Sequence, residues 1–193
     1  MFSKRFEELS STIDSCSYSN GAGPLSEDQA LDRFFAMVSE TKGIVYVIGN
    51  GGSAGIASHF SNDLMKALKI RSQTLYDSNI MTCLSNDIGY ENVFSYPLDL
   101  LLKPEDLLVA ISSSGKSPNI LKAVDVARRR GVPVITLSGF LRDNPLNSAG
   151  QLNFWIDRCD YGLVEVAHFF LLHTVIDLWH KKSFTGCKTC SNH

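Results

Sequence analysis

Residues 43–63, GIVYVIGNGGSAGIASHFSND, constrain the fold of this chain more than any other stretch. Ile44, Val45, Val47 and Ile48 form a nearly unbroken β-branched run, the pattern of a strand buried on both faces. Gly49-Asn50-Gly51-Gly52 follows at once, and without Cβ atoms the backbone can turn sharply and approach a ligand closely. Ser53 is a natural N-cap for a helix from about Ala54 to Lys69. Strand, glycine turn and helix in this order make an anion site, because the free N–H groups of the helix start point toward the turn. His59 and Asp63, spaced i, i+4, share one face of that helix, so a metal-ligand or acid/base pair stands just beyond the anion site.

The flanking sequence repeats the strand–helix pattern. Residues 3–15 predict a helix with Phe6, Leu9 and Ile13 on one side, and residues 18–25 a turn-rich break. Ser26-Glu27-Asp28 opens a second helix striped by Leu31, Phe34, Phe35 and Val38. Residues 73–76 read as a short strand ended by Asp77-Ser78-Asn79. Asn86 and Asp87 fall in the following loop or helix start, and residues 90–102 as one helix. The strand 106–111 runs into Ser112-Ser113-Ser114-Gly115-Lys116-Ser117. Ser117 as N-cap and Pro118 at the first helical position start a helix that Gly131 stops. Strands at 132–137 and 152–156, a loop at 139–150 and a long apolar helix at 162–182 complete the pattern.

The order predicts an α/β fold: a three-layer, doubly wound, flavodoxin-like domain with a five-stranded, mainly parallel sheet. It would comprise N-terminal helices (1–42), the α/β core (43–182) and a polar tail (183–193) within one domain of 193 residues. Both special loops, 49–53 and 112–117, fall at strand C-termini, where such sheets bind ligands. Four hydroxyls and a glycine before a helix suit a phosphate better than an ordinary polar loop requires.

Net charge of −2 gives no electrostatic case for nucleic acid, and Arg128-Arg129-Arg130 reads as a solvated helix end. No run is read as a membrane span, no signal-peptide core is recognised, and five scattered cysteines suit a reducing compartment, so the expected location is cytoplasmic. Cys187-x-x-Cys190 lacks the two further ligands of a closed zinc site. Gly49-x-Gly51-x-x-Ala54 with Asp77 loosely matches a dinucleotide fingerprint, but the sheet leaves little chain for a second substrate. Glu165, His168 and His173 stand in the apolar run VEVAHFFLLHTVIDLW, where a buried charge needs a partner or a metal.

The set GNGGSA, His59-x-x-x-Asp63, Asn86-Asp87-Ile88-Gly89-Tyr90, ISSSGKS and Glu165-x-x-His168-x-x-x-x-His173 resembles the phosphoheptose isomerases of the sugar-isomerase (SIS) fold, over roughly residues 3–182. The resemblance implies an aldose–ketose isomerase that converts sedoheptulose 7-phosphate to D-glycero-D-manno-heptose 7-phosphate through an enediol. It implies a homotetramer with active sites at subunit interfaces and one zinc per subunit. The matching zinc positions are His59, Asp63, Glu165 and His173, with Asp63 and His173 catalytic. Asn50, Gly51, Gly52, Ser53, Asp63, Asn86, Asp87, Ser112, Ser113, Ser114, Ser117 and Glu165 match its substrate-binding positions. His168 is assigned no ligand role. Two positions depart from the family: its catalytic glutamate is Asp63 here, and its glutamine is Glu165. The rival function is a non-catalytic phosphosugar sensor or protein scaffold on the same fold. Four retained ligand types favour the enzyme.

Overall fold

The computed structural model describes residues 1–184. Its elements are α1 (Phe2–Asp14), β1 (Cys16–Asn20), β2 (Gly23–Leu25), α2 (Glu27–Glu40), β3 (Val45–Ile48), α3 (Gly52–Leu68), β4 (Ser72–Gln73), α4 (Ser78–Ile88), α5 (Ser95–Leu101), β5 (Leu107–Ser112), α6 (Pro118–Arg129), β6 (Val134–Gly139), β7 (Leu152–Ile156) and α7 (Tyr161–Phe184). Short 3-10 turns lie at Tyr90–Asn92 and Pro145–Ser148. The expected tail, with Cys187 and Cys190, falls outside the described residues apart from the last turn of α7.

One sheet of seven strands runs in the order β2-β1-β7-β6-β5-β3-β4. The five expected strands pair in parallel from β7 to β4. The two additional strands, β1 and β2, form a hairpin whose β1 lies antiparallel to β7. This corrects the reading of residues 18–25 as a break and of residues 1–42 as helices alone. The chain leaves β3 to form β4 on one side and returns to form β5 on the other. A topological switch point therefore opens between β3 and β5, beneath the two loops singled out in the sequence.

Period-two alternation sorts the strands onto two cores. Val45, Val47, Leu107, Val109 and Ile111 face α2, α3 and α7 through Phe34, Ile56, Phe60, Leu64, Leu172 and Val175. Tyr46, Ile48, Leu108 and Ala110 face α5 and α6 through Leu98, Ile120, Ala123 and Ala127. α1 packs outside this frame, its Leu9 and Ile13 against Ile156, Val164 and Ala167. By length and composition Tyr161–Lys181 could cross a membrane, which corrects the expectation that no run is long enough. Its apolarity has a cause in the fold: Leu163, Val164, Ala167, Leu172, Val175 and Ile176 are buried core side chains.

Three local boundaries differ from expectation. α3 begins at Gly52 after Gly51 (φ +54°), so Ser53 lies inside the first turn, 3% exposed, rather than capping it. Asp77 is the N-cap of α4, its carboxylate accepting from the Ile80 amide at 2.9 Å, which removes it from any ribose-binding role. Residues 90–102 break into a 3-10 turn and α5 instead of one helix.

Candidate active site

The first half of the site is a cleft of about 250 Å³ lined by Asn50, Gly51 and Ser53 from the glycine turn and by Ser112, Ser113, Ser114 and Ser117 from the serine loop. The two loops meet here because β3 and β5 are neighbours in parallel register, Ile48 beside Ala110. No side chain caps the first turn of α3, so that helix presents its uncapped start to the cleft. Ser112 and Ser117 hydroxyls stand 3.1 Å apart across the mouth of the serine loop. Ser113 is 4% exposed, and its hydroxyl has no hydrogen-bond partner among the described residues. A buried, unpartnered hydroxyl on a cleft wall costs free energy unless a ligand completes it. Ser113→Ala is therefore expected to weaken phosphosugar binding by roughly 10- to 100-fold, one hydrogen bond to a charged group. It should leave the unfolding midpoint unchanged or slightly raised. Calorimetric titration and urea unfolding of the variant check both.

Glu165 reaches the same cleft from α7. Its carboxylate occupies the space that a Cβ at Gly52 would need, so the glycine is required for this contact. Tyr76, absent from the sequence reading, pins the turn from behind: its hydroxyl accepts from the Gly49 amide at 2.7 Å and donates to the Gly49 carbonyl at 3.0 Å. Burial pushes the Tyr76 phenol above its ordinary pKa, which keeps its proton available for the second bond.

The second half is a cluster further along α3 and α7. His59 Nε2 lies 3.0 Å and His173 Nδ1 3.2 Å from the same oxygen, Asp63 Oδ2. Neither approach makes a hydrogen bond, and Asp63 Oδ2 is buried without one. One donor atom from each of the three residues falls within 4.8 Å of the others. Two imidazole nitrogens and a carboxylate oxygen converging around an unsatisfied buried atom fit a divalent ion of the zinc type. Phe169, one turn before His173, packs on both rings at 4.8 and 6.0 Å between centroids and fixes their orientation. Its role is not legible in the sequence, where it reads as one more apolar residue of α7.

The structure thus joins His59, Asp63 and His173 but separates Glu165, which lies two turns earlier on α7 against the glycine turn. Eight residues of helix span about 12 Å, so one carboxylate serves the cleft and the imidazole cluster stands at the other end of the helix pair. Asn86 and Asp87 are also apart. They sit exposed at the end of α4 and do not line the cleft of their own chain. Asn86 donates to Asp87 at 2.8 Å and the Cys83 thiol approaches at 3.4 Å, bonds that hold the Asp87 carboxyl below its ordinary pKa.

His168 faces the core, fully buried, with Nε2 3.1 Å from the Ser138 carbonyl. Nε2–H is the donor, so Nδ1 is a bare acceptor, without a partner. Burial pushes the imidazole pKa down to about 4, against an ordinary 6.5. The folded protein therefore keeps His168 neutral while the unfolded chain takes up a proton below the ordinary value. Stability is full above pH 6.5 and is lost as pH falls toward 4, by a total of about 3 kcal/mol. His168→Gln preserves a donor and removes the titration. Urea unfolding between pH 7 and 4.5 should show the variant losing less stability than wild type by roughly that amount.

Comparison with known proteins places this geometry. Residues 27–139 match the family model of the SIS domain. The chain is 37% identical over 137 residues to the phosphoheptose isomerase of Campylobacter concisus, covering 68% of this chain and 72% of the relative. It is 33% identical over 168 residues to that of Pelobacter propionicus, covering 83% and 87%. The solved phosphoheptose isomerase of Francisella tularensis superposes with a TM-score of 0.75 at 25% identity, covering 93% of this chain and 96% of that one. The Neisseria gonorrhoeae enzyme gives 0.69 at 30% identity, covering 78% and 83%. With that identity sustained over two thirds or more of each relative, the chain belongs to the phosphoheptose isomerase family of SIS-domain proteins.

Proposed function

We propose that this protein isomerises sedoheptulose 7-phosphate to D-glycero-D-manno-heptose 7-phosphate, as a step in heptose biosynthesis. The observation that carries the reading is the two-ended site on α3 and α7. An uncapped helix start and a hydroxyl-lined cleft stand at one end, and an imidazole–carboxylate cluster at the other. A ketose 7-phosphate has the same polarity, with its phosphate at one end of the carbon chain and its reacting carbons, C1 and C2, at the other.

Ser112, Ser113, Ser114 and Ser117, with the starts of α3 and α6, hold the phosphate. Asn50, Gly51, Gly52, Ser53 and Glu165 orient the sugar from the opposite wall. Asp63 and His173 are the acid/base pair. One removes a proton from C1, next to the C2 carbonyl, and the pair returns a proton to C2 of the resulting enediol. The O1 hydroxyl gives up its proton as the C2 oxygen gains one, so ketose becomes aldose with no net change in atoms. A positioned acid/base pair contributes roughly 10²–10⁴-fold to such transfers. His59, Asp63 and His173 would hold a zinc ion, while Glu165, the fourth position implied by the family, lies two turns away and serves the cleft. Bound there, zinc supplies Lewis-acid stabilisation of the developing oxyanion charge.

The active unit we propose is a homotetramer. Phe2 and Phe6 of α1 and Val166, Phe169 and Phe170 of α7 are exposed large apolar side chains, and Phe169 packs on both rings of the imidazole cluster. Helix faces of this kind become subunit interfaces. Assembly would also bring Asn86 and Asp87 to a neighbour's cleft, the role the family resemblance gives them. Light scattering at micromolar concentration should report four chains, and a monomer would contradict the shared site. The function itself is tested by incubating the purified protein with sedoheptulose 7-phosphate and following the products by NMR. Appearance of the aldose heptose phosphate is expected. No conversion by zinc-supplied protein would refute the reading.

A further inference from the structure

Periodicity gives no reason to single out Asn119, the second residue of α6. The structure does. Asn119 is 2% exposed, and its side chain forms a reciprocal pair with Asn50. Asn119 Nδ2 donates to Asn50 Oδ1 at 2.8 Å, and Asn50 Nδ2 donates to Asn119 Oδ1 at 2.9 Å. Asn119 Oδ1 also accepts from the Ile120 amide at 3.0 Å. A further donor, the Tyr90 hydroxyl, reaches Asn50 Oδ1 at 3.1 Å. Both lone pairs of that oxygen are then engaged, and one Nδ2 hydrogen of Asn50 remains for a ligand. The side chain of Asn50 is thus largely committed to the protein.

The partners come from three separate segments: the glycine turn after β3, the start of α6 after the serine loop, and the 3-10 turn that follows Asn86-Asp87. A reciprocal amide pair tolerates one separation and one relative orientation, because a shift of either loop lengthens both bonds together. Resting on the phosphosugar reading above, we propose that Asn119, assisted by Tyr90, is a positioning residue for phosphate capture. It locks the glycine turn against the serine loop, so that the donors of both loops converge on one anion. Asn119 acts through Asn50 and touches no substrate itself. The invariance of the two-loop separation is what lets neutral hydroxyls and N–H groups do the work of a fixed cation.

A merely structural role makes a different prediction. Fewer folded molecules would lower kcat at unchanged KM, whereas misaligned loops raise KM and Kd and spare the chemistry at the far cluster. The experiment uses the full-length protein with Asn119→Ala, Asn50→Ala, the double variant and Tyr90→Phe. Kinetics and calorimetry with sedoheptulose 7-phosphate are read beside amide hydrogen exchange of residues 49–53 in the unliganded protein. Asn119→Ala should raise KM and Kd by about tenfold or more, with kcat within about threefold. Exchange at residues 49–53 should quicken, although the mutation lies on another element. Tyr90→Phe should shift KM in the same direction by less, and the double variant should be no worse than Asn50→Ala alone, because Asn119 acts only through Asn50. Unchanged KM and Kd, unchanged exchange at 49–53, or additive effects in the double variant would each overturn the assignment. A wild type that binds the sugar phosphate without converting it would refute the isomerase reading and leave Kd and exchange to decide on Asn119.

Discussion

His173→Ala is expected to lower isomerase turnover by roughly 10²–10⁴-fold, the range for loss of a positioned acid or base. The fold should be nearly unaffected. The His173 side chain is 45% exposed, so its truncation opens no core cavity, and stability should move by about 0.5 kcal/mol or less. Its Nδ1 is one of two imidazole nitrogens on Asp63 Oδ2, so metal content should fall together with activity. His168→Gln supplies the contrast on the same helix. That histidine points to the Ser138 carbonyl in the core and should leave metal content intact. Steady-state kinetics and elemental analysis of the two variants check the pair. Retained metal in His173→Ala, or lost metal in His168→Gln, would place the cluster's ligands elsewhere.

Gly115→Ala should be among the most destabilising single changes in the serine loop. Gly115 has φ +63°, and a Cβ there would overlap the Asn144 side-chain amide. The left-handed conformation costs a non-glycine residue about 1–2 kcal/mol. Asn144 has no room to retreat. It is 2% exposed, donates to the carbonyls of Leu141 at 2.7 Å and Gly139 at 3.1 Å, and accepts from the Asn147 amide at 3.0 Å. Displacing it leaves several buried groups unpaired at about 1–3 kcal/mol each, so a total loss of about 4 kcal/mol or more is expected. Urea unfolding measures it. A loss under about 1 kcal/mol would show that the loop relaxes around the new methyl group.

The sequence carried the parallel core of the fold because that core is written locally. β3 and β5 are continuous apolar runs, α2 opens with a capping box at Ser26 and Gln29, and the glycine and serine loops interrupt the pattern at strand ends. The hairpin was illegible for the opposite reason. Tyr18 to Pro24 is rich in turn formers, and β1 is a strand through its pairing with β2 and, from Cys16 beside Ile156 to Ser19 beside Asn153, with β7. α4 escaped notice because the turn formers Asp77-Ser78-Asn79 and Ser85-Asn86-Asp87 bracket its short apolar stripe of Ile80, Met81, Leu84 and Ile88, of which Met81 and Leu84 pack on the core. Gly51, by adopting positive φ, let α3 start earlier than its serine implied.

The site divides in the same way. His59 and Asp63 were legible as an i, i+4 pair, and the serine loop as a run of hydroxyls before a helix. The meeting of His173 with Asp63 depends on α3 packing beside α7, and only the family resemblance pointed to it. Asp63 reaches both imidazoles despite being one methylene shorter than the family's glutamate. Glu165 was expected beside them and instead faces Gly52, because two helical turns separate it from His173. Asn119, Tyr90, Tyr76 and Asn144 do their work through contacts between distant segments, which no local pattern encodes.

The most direct test of the central claim is conversion of sedoheptulose 7-phosphate in D₂O by metal-stripped protein, before and after zinc is restored. The account predicts negligible conversion without metal and recovery with it. In the recovered reaction, C2 of the aldose heptose phosphate should carry solvent deuterium, placed there by the acid/base pair of Asp63 and His173. Full activity in the stripped protein, or an aldose made without any deuterium at C2 under conditions where the bound base exchanges with solvent, would contradict it.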